Sequence, residues 1–235
     1  MVYFNKIFCL GDIHGDFSVI GAMNISDSLV IQIGDFGAGL NPNADYIEIF
    51  NQINEILKAK NNTLWVIRGN HDDPSFFEGQ HKYSNLELLS DYTIRELNDE
   101  KWLFIGGAIS INRKPKLERG EHSYWPNEVF KLDYDKLMGI GYIDRIVAHT
   151  TTSFAPPTHF NDVVNMYIGY DRELKADLVA EKLLVDEMFR YVCESGNPKS
   201  FIYGHFHQNS LFRHNDTDFI CVDINNLYLV SEKND

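Results

Sequence analysis

Five runs of strand-forming residues in this sequence each stop just before side chains that can hold a metal ion. That recurrence limits the fold more tightly than any other feature. Residues 2–10 lead into Asp12 and His14, 29–33 into Asp35, and 63–67 into Asn70 and His71. Residues 143–148 lead into His149, and 199–203 into His205 and His207. The runs are apolar, β-branched and aromatic and end at glycines or polar residues, which reads as strands. Residues 102–105, 210–213 and 219–222 read the same way. Between the strands, residues 44–60 place Ile47, Phe50, Ile53, Ile56 and Leu57 at helical spacing. Residues 174–193 do so with Leu174, Leu178, Leu183, Val185 and Phe189. Strands alternating with helices predict a layered α/β (α+β) fold, whose ligand sites gather at the carboxyl ends of strands. The charged stretch 113–121 with Pro115 reads as a loop, as does Pro156-Pro157. Neither is long enough for a linker, so residues 1–235 are expected to form one domain.

Composition narrows the class of partner. Lys plus Arg number 21 against 34 Asp plus Glu, a formal charge of −13, which disfavours a protein that grips long nucleic acid through phosphates. Cys9, Cys193 and Cys221 are too scattered for a thiolate metal site or a disulfide framework. The apolar start breaks at Gly11-Asp12, before a secretory core could form, and no apolar stretch nears the ~20 residues that span a bilayer. A soluble cytoplasmic protein without membrane contact is the expectation.

Each polar cluster has its own chemistry. In Gly11-Asp12-Ile13-His14-Gly15, residues two apart point to one side of extended backbone, so Asp12 and His14 can converge. Alone, such a pair also suits a capped, solvated turn, and Gly34-Asp35-Phe36-Gly37 is a common turn as well. In Gly69-Asn70-His71-Asp72, Asn70 offers a neutral oxygen and His71 can face solvent or substrate. Asp72 is placed to hold the His71 imidazole and favour its charged form. In Gly204-His205-Phe206-His207 both imidazoles face one side and Phe206 the other. Together two Asp, one Asn and four His can build two shells of oxygen and nitrogen donors. Such shells suit manganese first, with iron, zinc or nickel as alternatives, better than calcium.

The ordered series GDxHG, GD, GNHD, a lone His and GHxH, spanning residues 11–207, resembles the calcineurin-like metallophosphoesterases. The resemblance implies a four-layer sandwich of two mixed β-sheets flanked by helices. It also implies two divalent metal ions as cofactor. Asp12, His14, Asp35 and His207 would hold the first, and Asp35, Asn70, His149 and His205 the second, with Asp35 bridging. By the same resemblance His71 is the catalytic histidine and Asp72 its partner. A metal-bridging hydroxide would attack phosphorus in line, with no side-chain nucleophile. Arg68 resembles the third-motif Arg of Ser/Thr protein phosphatases and would clamp a phosphate bidentately. Their Asp-Arg pair is missing here, because Phe36-Gly37-Ala38-Gly39 follows Asp35.

The implied activity is hydrolysis of a phosphate ester on a phosphorylated small molecule, nucleotide or phosphoprotein. Phosphodiesterase or dinucleotide polyphosphate hydrolase chemistry is the nearer alternative, and a catalytically weak binding module on the same fold the more distant one. Residues 106–128, basic and then aromatic, could reach over the metals, but their expected state is a solvated loop. His81, His122, His159 and His214 stand outside the series and are expected to be surface or hydrogen-bonded histidines.

Overall fold

The computed structural model describes residues 2–158 and 160–233, so His159 lies outside the described residues. The first half gives β1 (Lys6–Leu10), α1 (Ser18–Ala22), β2 (Ser28–Gln32), α2 (Tyr46–Ala59), β3 (Thr63–Val66) and β4 (Leu86–Leu88). Then come β5 (Thr93–Leu97), β6 (Glu100–Ile105), α3 (Arg113–Glu118), α4 (Tyr134–Leu137) and β7 (Arg145–Ala148). The remainder is α5 (Asp162–Tyr170), α6 (Leu174–Cys193), β8 (Ser200–Tyr203), β9 (Ser210–His214), β10 (Thr217–Cys221) and β11 (Leu227–Glu232).

The strands form two mixed sheets, ordered β11-β1-β2-β3-β4 and β5-β6-β7-β8-β10-β9. In the first, β1 to β4 run parallel and β11 closes the edge antiparallel. In the second, β6, β7, β8 and β10 are parallel between antiparallel edges β5 and β9. Alternation along the strands explains the layers. Ile7, Cys9, Ile31 and Trp65 of one sheet meet Phe104, Val147 and Ile202 of the other in a core between the sheets. The opposite faces take helices. Leu10, Val30 and Val66 bury Phe50, Ile53 and Leu57 of α2, and Phe201 and Tyr203 bury Val185, Met188 and Phe189 of α6. The helix, sheet, sheet, helix order is the sandwich that the resemblance implies.

The expected strands and the two long helices are present, with some ends shifted by a few residues. Asp45 caps α2 by accepting a hydrogen bond from the Glu48 amide. Ile47, Ile56 and Leu183, placed by periodicity on buried faces, are exposed instead. The stretch from Arg113 is not a loop but α3, with Pro115 in its first turn, where a missing N–H costs nothing. Among the described residues no helix is long and apolar enough to cross a membrane.

Register places the site. Leu10, Gln32 and Val66 lie side by side in the first sheet, and Ile105 and Ala148 in the second. The segments after β1, β2, β3, β7 and β8 therefore leave at neighbouring edges. The two edges are tied together where His149 Nδ1 donates to the Ile33 carbonyl at 2.9 Å.

Candidate metal centre

The seven expected ligands converge at this edge. Donor atoms of Asp12, His14, Asp35 and His207 all lie within 4.8 Å of one another, and so do those of Asp35, His149 and His205. Asn70 Oδ1 joins the second group, 3.2 Å from His149 Nε2. Asp35 is common to both: Oδ2 is 3.7 Å from His14 Nδ1 and Oδ1 is 3.3 Å from His149 Nε2. His14 Nε2 and His207 Nε2 approach to 2.9 Å, and His207 Nε2 stands 3.2 Å from Asp12 Oδ2.

The backbone is bent to deliver these groups. His14, Asp35, His205 and His207 all have positive φ, between 47° and 68°. Non-glycine residues rarely adopt that region, and its cost is tolerated mainly where function needs the geometry. Two glycines let the walls close on the ligands. A Cβ on Gly34 would come within 2.2 Å of His149 Nδ1, and one on Gly204 within 2.4 Å of Asp12 Oδ1.

Charge follows the same design. Asp12 and Asp35 are both buried. Burial pushes the Asp35 carboxyl up, but the imidazoles of His149, His71 and His14 outweigh it and hold it well below the ordinary range. Burial works against charge on His149 as well. The carboxylates of Asp35 and Asp12 win, raising it to about 9. His205 is driven well below the usual imidazole range by burial and by His149. The cluster thus asks for positive charge at its centre.

The donor set fits divalent ions of the borderline kind: carboxylate, amide oxygen and imidazole together. His149 has the arrangement usual for a ligating histidine, Nδ1–H on a backbone carbonyl and Nε2 turned to the other donors.

Three residues beside the ligands depart from expectation or were not foreseen. Asp72 does not hold the His71 imidazole. Its carboxylate accepts from the amides of Phe36 (3.1 Å), Gly37 (2.6 Å), Ala38 (2.9 Å) and Gly69 (2.7 Å), tying the turn after β2 to that after β3. Arg68 is not free to clamp a phosphate. Its guanidinium is buried, pairs with Asp91 at 2.7 Å, and donates to the carbonyls of Glu128 and Val129.

The neighbour of His71 is Lys116, whose Nζ is 3.4 Å from His71 Nδ1 and donates to the Ser123 carbonyl at 2.8 Å. The segment expected to be a solvated loop therefore reaches the site. Ser110 belongs to it too, accepting from Asn70 Nδ2 at 3.0 Å. Burial, with the charge of Lys116 adding to it, lowers the His71 pKa to about 4. A neutral imidazole results, not the charged form foreseen. Of the histidines outside the series, His81 stacks on Phe76, His214 lies against Phe154, and His122 is exposed.

No curated protein matches the sequence. Among solved structures, the chain is similar to a Staphylococcus aureus protein provisionally named a 5′-nucleotidase, at 12% identity and TM-score 0.47. The match covers 97% of this chain and 53% of that one, so the chain spans about half its length. It is also similar to phosphopantetheinyl hydrolase from Mycobacterium tuberculosis, at 12% identity, TM-score 0.47, and coverage of 94% and 90%. The family model for calcineurin-like phosphoesterases matches residues 5–209, which takes in every one of the candidate ligands described above. The chain belongs to the calcineurin-like phosphoesterase family.

Proposed function

We propose that this domain, residues 1–235, hydrolyses phosphate esters with two divalent ions, manganese first among the candidates, held by its two donor groups. The observation that carries the reading is the shared Asp35 carboxylate, one oxygen turned to each group. Two ions at this place would draw charge from the phosphoryl oxygens and make a water acidic enough to lose its proton near neutral pH.

The chain's own residues do the rest. Asp12, Asp35 and the imidazoles fix the donors on short, strained turns, so little reorganisation is needed when charge builds on the phosphoryl group. His71 lines a cavity together with Asp35, Asn70, His205 and His207. A lysine ammonium can only donate, so Nδ1 of His71 accepts from Lys116 and the ring proton sits on Nε2. His71 then stabilises the leaving oxygen as a neutral hydrogen-bond donor. With Arg68 committed to Asp91, the Ser/Thr protein phosphatase variant lacks its phosphate clamp. Cys9, Cys193 and Cys221 are free thiols, which suits a reducing cytoplasm.

The test is turnover of p-nitrophenyl phosphate and of its bis-ester by protein loaded with Mn²⁺, Zn²⁺ or Ni²⁺. Expected are hydrolysis that chelation abolishes, two ions per chain, and a loss of at least about a hundredfold in Asp35→Asn. A metal-loaded protein inert toward both esters would refute the reading.

A further inference from the structure

A cavity of about 500 Å³ opens beside the donor groups, lined by His71, His205 and His207 among others. One side of its wall is apolar, built by Val163, Val164 and Tyr167 of α5, Leu178 of α6 and Phe206, and another is polar, with Asn112, Thr150 and Asn161. That volume suits a whole organic molecule rather than a bare phosphate. Helix α5 buries none of its residues, and Val163 remains 53% exposed in the cavity wall.

Among the described residues one lysine stands in this wall. Lys182 of α6 lines the cavity, with Nζ 5.8 Å from the ring centre of Phe160 and 5.5 Å from that of Phe206. Two ring faces, rather than an ion pair among the described residues, meet its charge. The neighbouring Glu181 makes no ion pair with it: its oxygens accept from the amides of Ile109 and Phe130, and it acts on the ammonium only through its charge. An ammonium partly stripped of water and set between two aromatic faces gains from an anion brought into the cavity. The phosphoryl group to be cleaved belongs at the donor groups, and Lys182, beyond the Phe206 ring that it faces, offers the cavity a further positive point.

Resting on the phosphoesterase reading, the geometry points to a substrate that is a small organic phosphate with two anionic ends. Its scissile phosphate lies at the donor groups, its aromatic or apolar body lies on the α5 wall, and its second anionic group lies on Lys182. A phosphoprotein would present a peptide chain instead, whose neutral backbone gives the Lys182 ammonium no anion to meet.

The probes are adenosine 3′,5′-bisphosphate, adenosine 5′-monophosphate, p-nitrophenyl phosphate and a phosphoserine peptide, tested with Mn²⁺-loaded wild type, Lys182→Met and Lys182→Arg. Expected is a KM for the bisphosphate about tenfold below that of the monophosphate, a ratio that Lys182→Met collapses and Lys182→Arg largely restores. Calorimetric titration of the bisphosphate into His71→Ala, with and without Lys182→Met, should show the same tenfold loss without turnover. Equal ratios in wild type and Lys182→Met, or a peptide preferred over the bisphosphate, would overturn this inference while p-nitrophenyl phosphate turnover leaves the enzyme reading standing. Loss of p-nitrophenyl phosphate turnover in the wild type sinks the enzyme reading, and the titration then decides the Lys182 site by itself.

Discussion

Lys116 and His71 are 45 residues apart in sequence and 3.4 Å apart in space, Nζ to Nδ1, with only 4% of the lysine exposed. The contact makes Lys116 the residue that fixes which nitrogen of His71 carries the proton. Lys116→Met removes the donor and keeps the buried volume, so the ring is free to take the other tautomer. General acid–base groups typically contribute 10²–10⁴-fold, and disordering one should forfeit a share of that. The expected result is a fall in kcat of roughly ten- to a hundredfold with KM little changed, partly recovered in Lys116→Arg. An unaltered kcat would remove Lys116 from the mechanism.

Asp72 makes a contrasting prediction, because its four backbone hydrogen bonds assign it to architecture. Asp72→Ala leaves the amides of Phe36, Gly37, Ala38 and Gly69 without their acceptor in a buried place. Each stranded donor costs about 1–3 kcal/mol, so a loss of at least about 3 kcal/mol is expected in urea unfolding. A carboxylate serving only the His71 ring would instead lower kcat and leave the unfolding curve in place. That outcome would restore the sequence-based assignment.

The contrast between these two residues shows where sequence reasoning reached and where it stopped. The gathering of Asp12, His14, Asp35, Asn70, His149, His205 and His207 was legible because each stands shortly after a strand run, and parallel strands carry such ends to one edge. Arg68 and Asp72 were visible as chemistry, but their partners were not. Asp91 and the turn at Phe36–Ala38 are joined to them only by the fold. Lys116 looked solvated because it sits in a charged run, and Pro115 hid the helix that turns it inward. Strand β11 escaped because it is an edge strand largely open to solvent, so its apolar residues do not alternate with burial. Helix α5 did carry a signal that could have found it: Asn161 accepts from the Val164 amide as a helix cap.

Glu181 yields a stability prediction with a definite sign. Burial raises its pKa from 4.5 to about 7, although the amides of Phe130 and Ile109 pull the other way. Between those values the folded chain holds a proton that the unfolded chain has released. Stability therefore falls as pH rises from about 4.5 to about 7 and levels off above, by on the order of 3 kcal/mol from this group. Glu128, also raised to about 7 by burial, adds a slope of the same sign. Replacing Glu181 with Gln should thus flatten the pH dependence of the unfolding free energy across that window without abolishing it. A variant whose curve runs parallel to that of the wild type would show that the carboxyl ionises freely in the folded state.

Gly204 tests how closely the ligands are held. Its missing Cβ is what lets Asp12 Oδ1 sit where it does, since a methyl group there would lie 2.4 Å from that oxygen. The backbone carries no strain that alanine could not accept, because Gly204 is not among the residues with positive φ. The effect of Gly204→Ala therefore falls chiefly on the carboxylate, with a lesser contact at 3.3 Å to Ile33 Cγ1. Asp12 also accepts from the His205 amide at 3.1 Å and faces His207 Nε2 at 3.2 Å, so moving it disturbs one donor of the first group and the approach to the second. Shifts of this kind in groups around a metal typically cost 10- to 100-fold in affinity. The substitution should weaken Mn²⁺ binding by about tenfold or more in calorimetric titration, while the far-ultraviolet spectrum stays that of the wild type. Unchanged affinity would mean that Asp12 has room to move and that the close glycine contact does not hold the ligand.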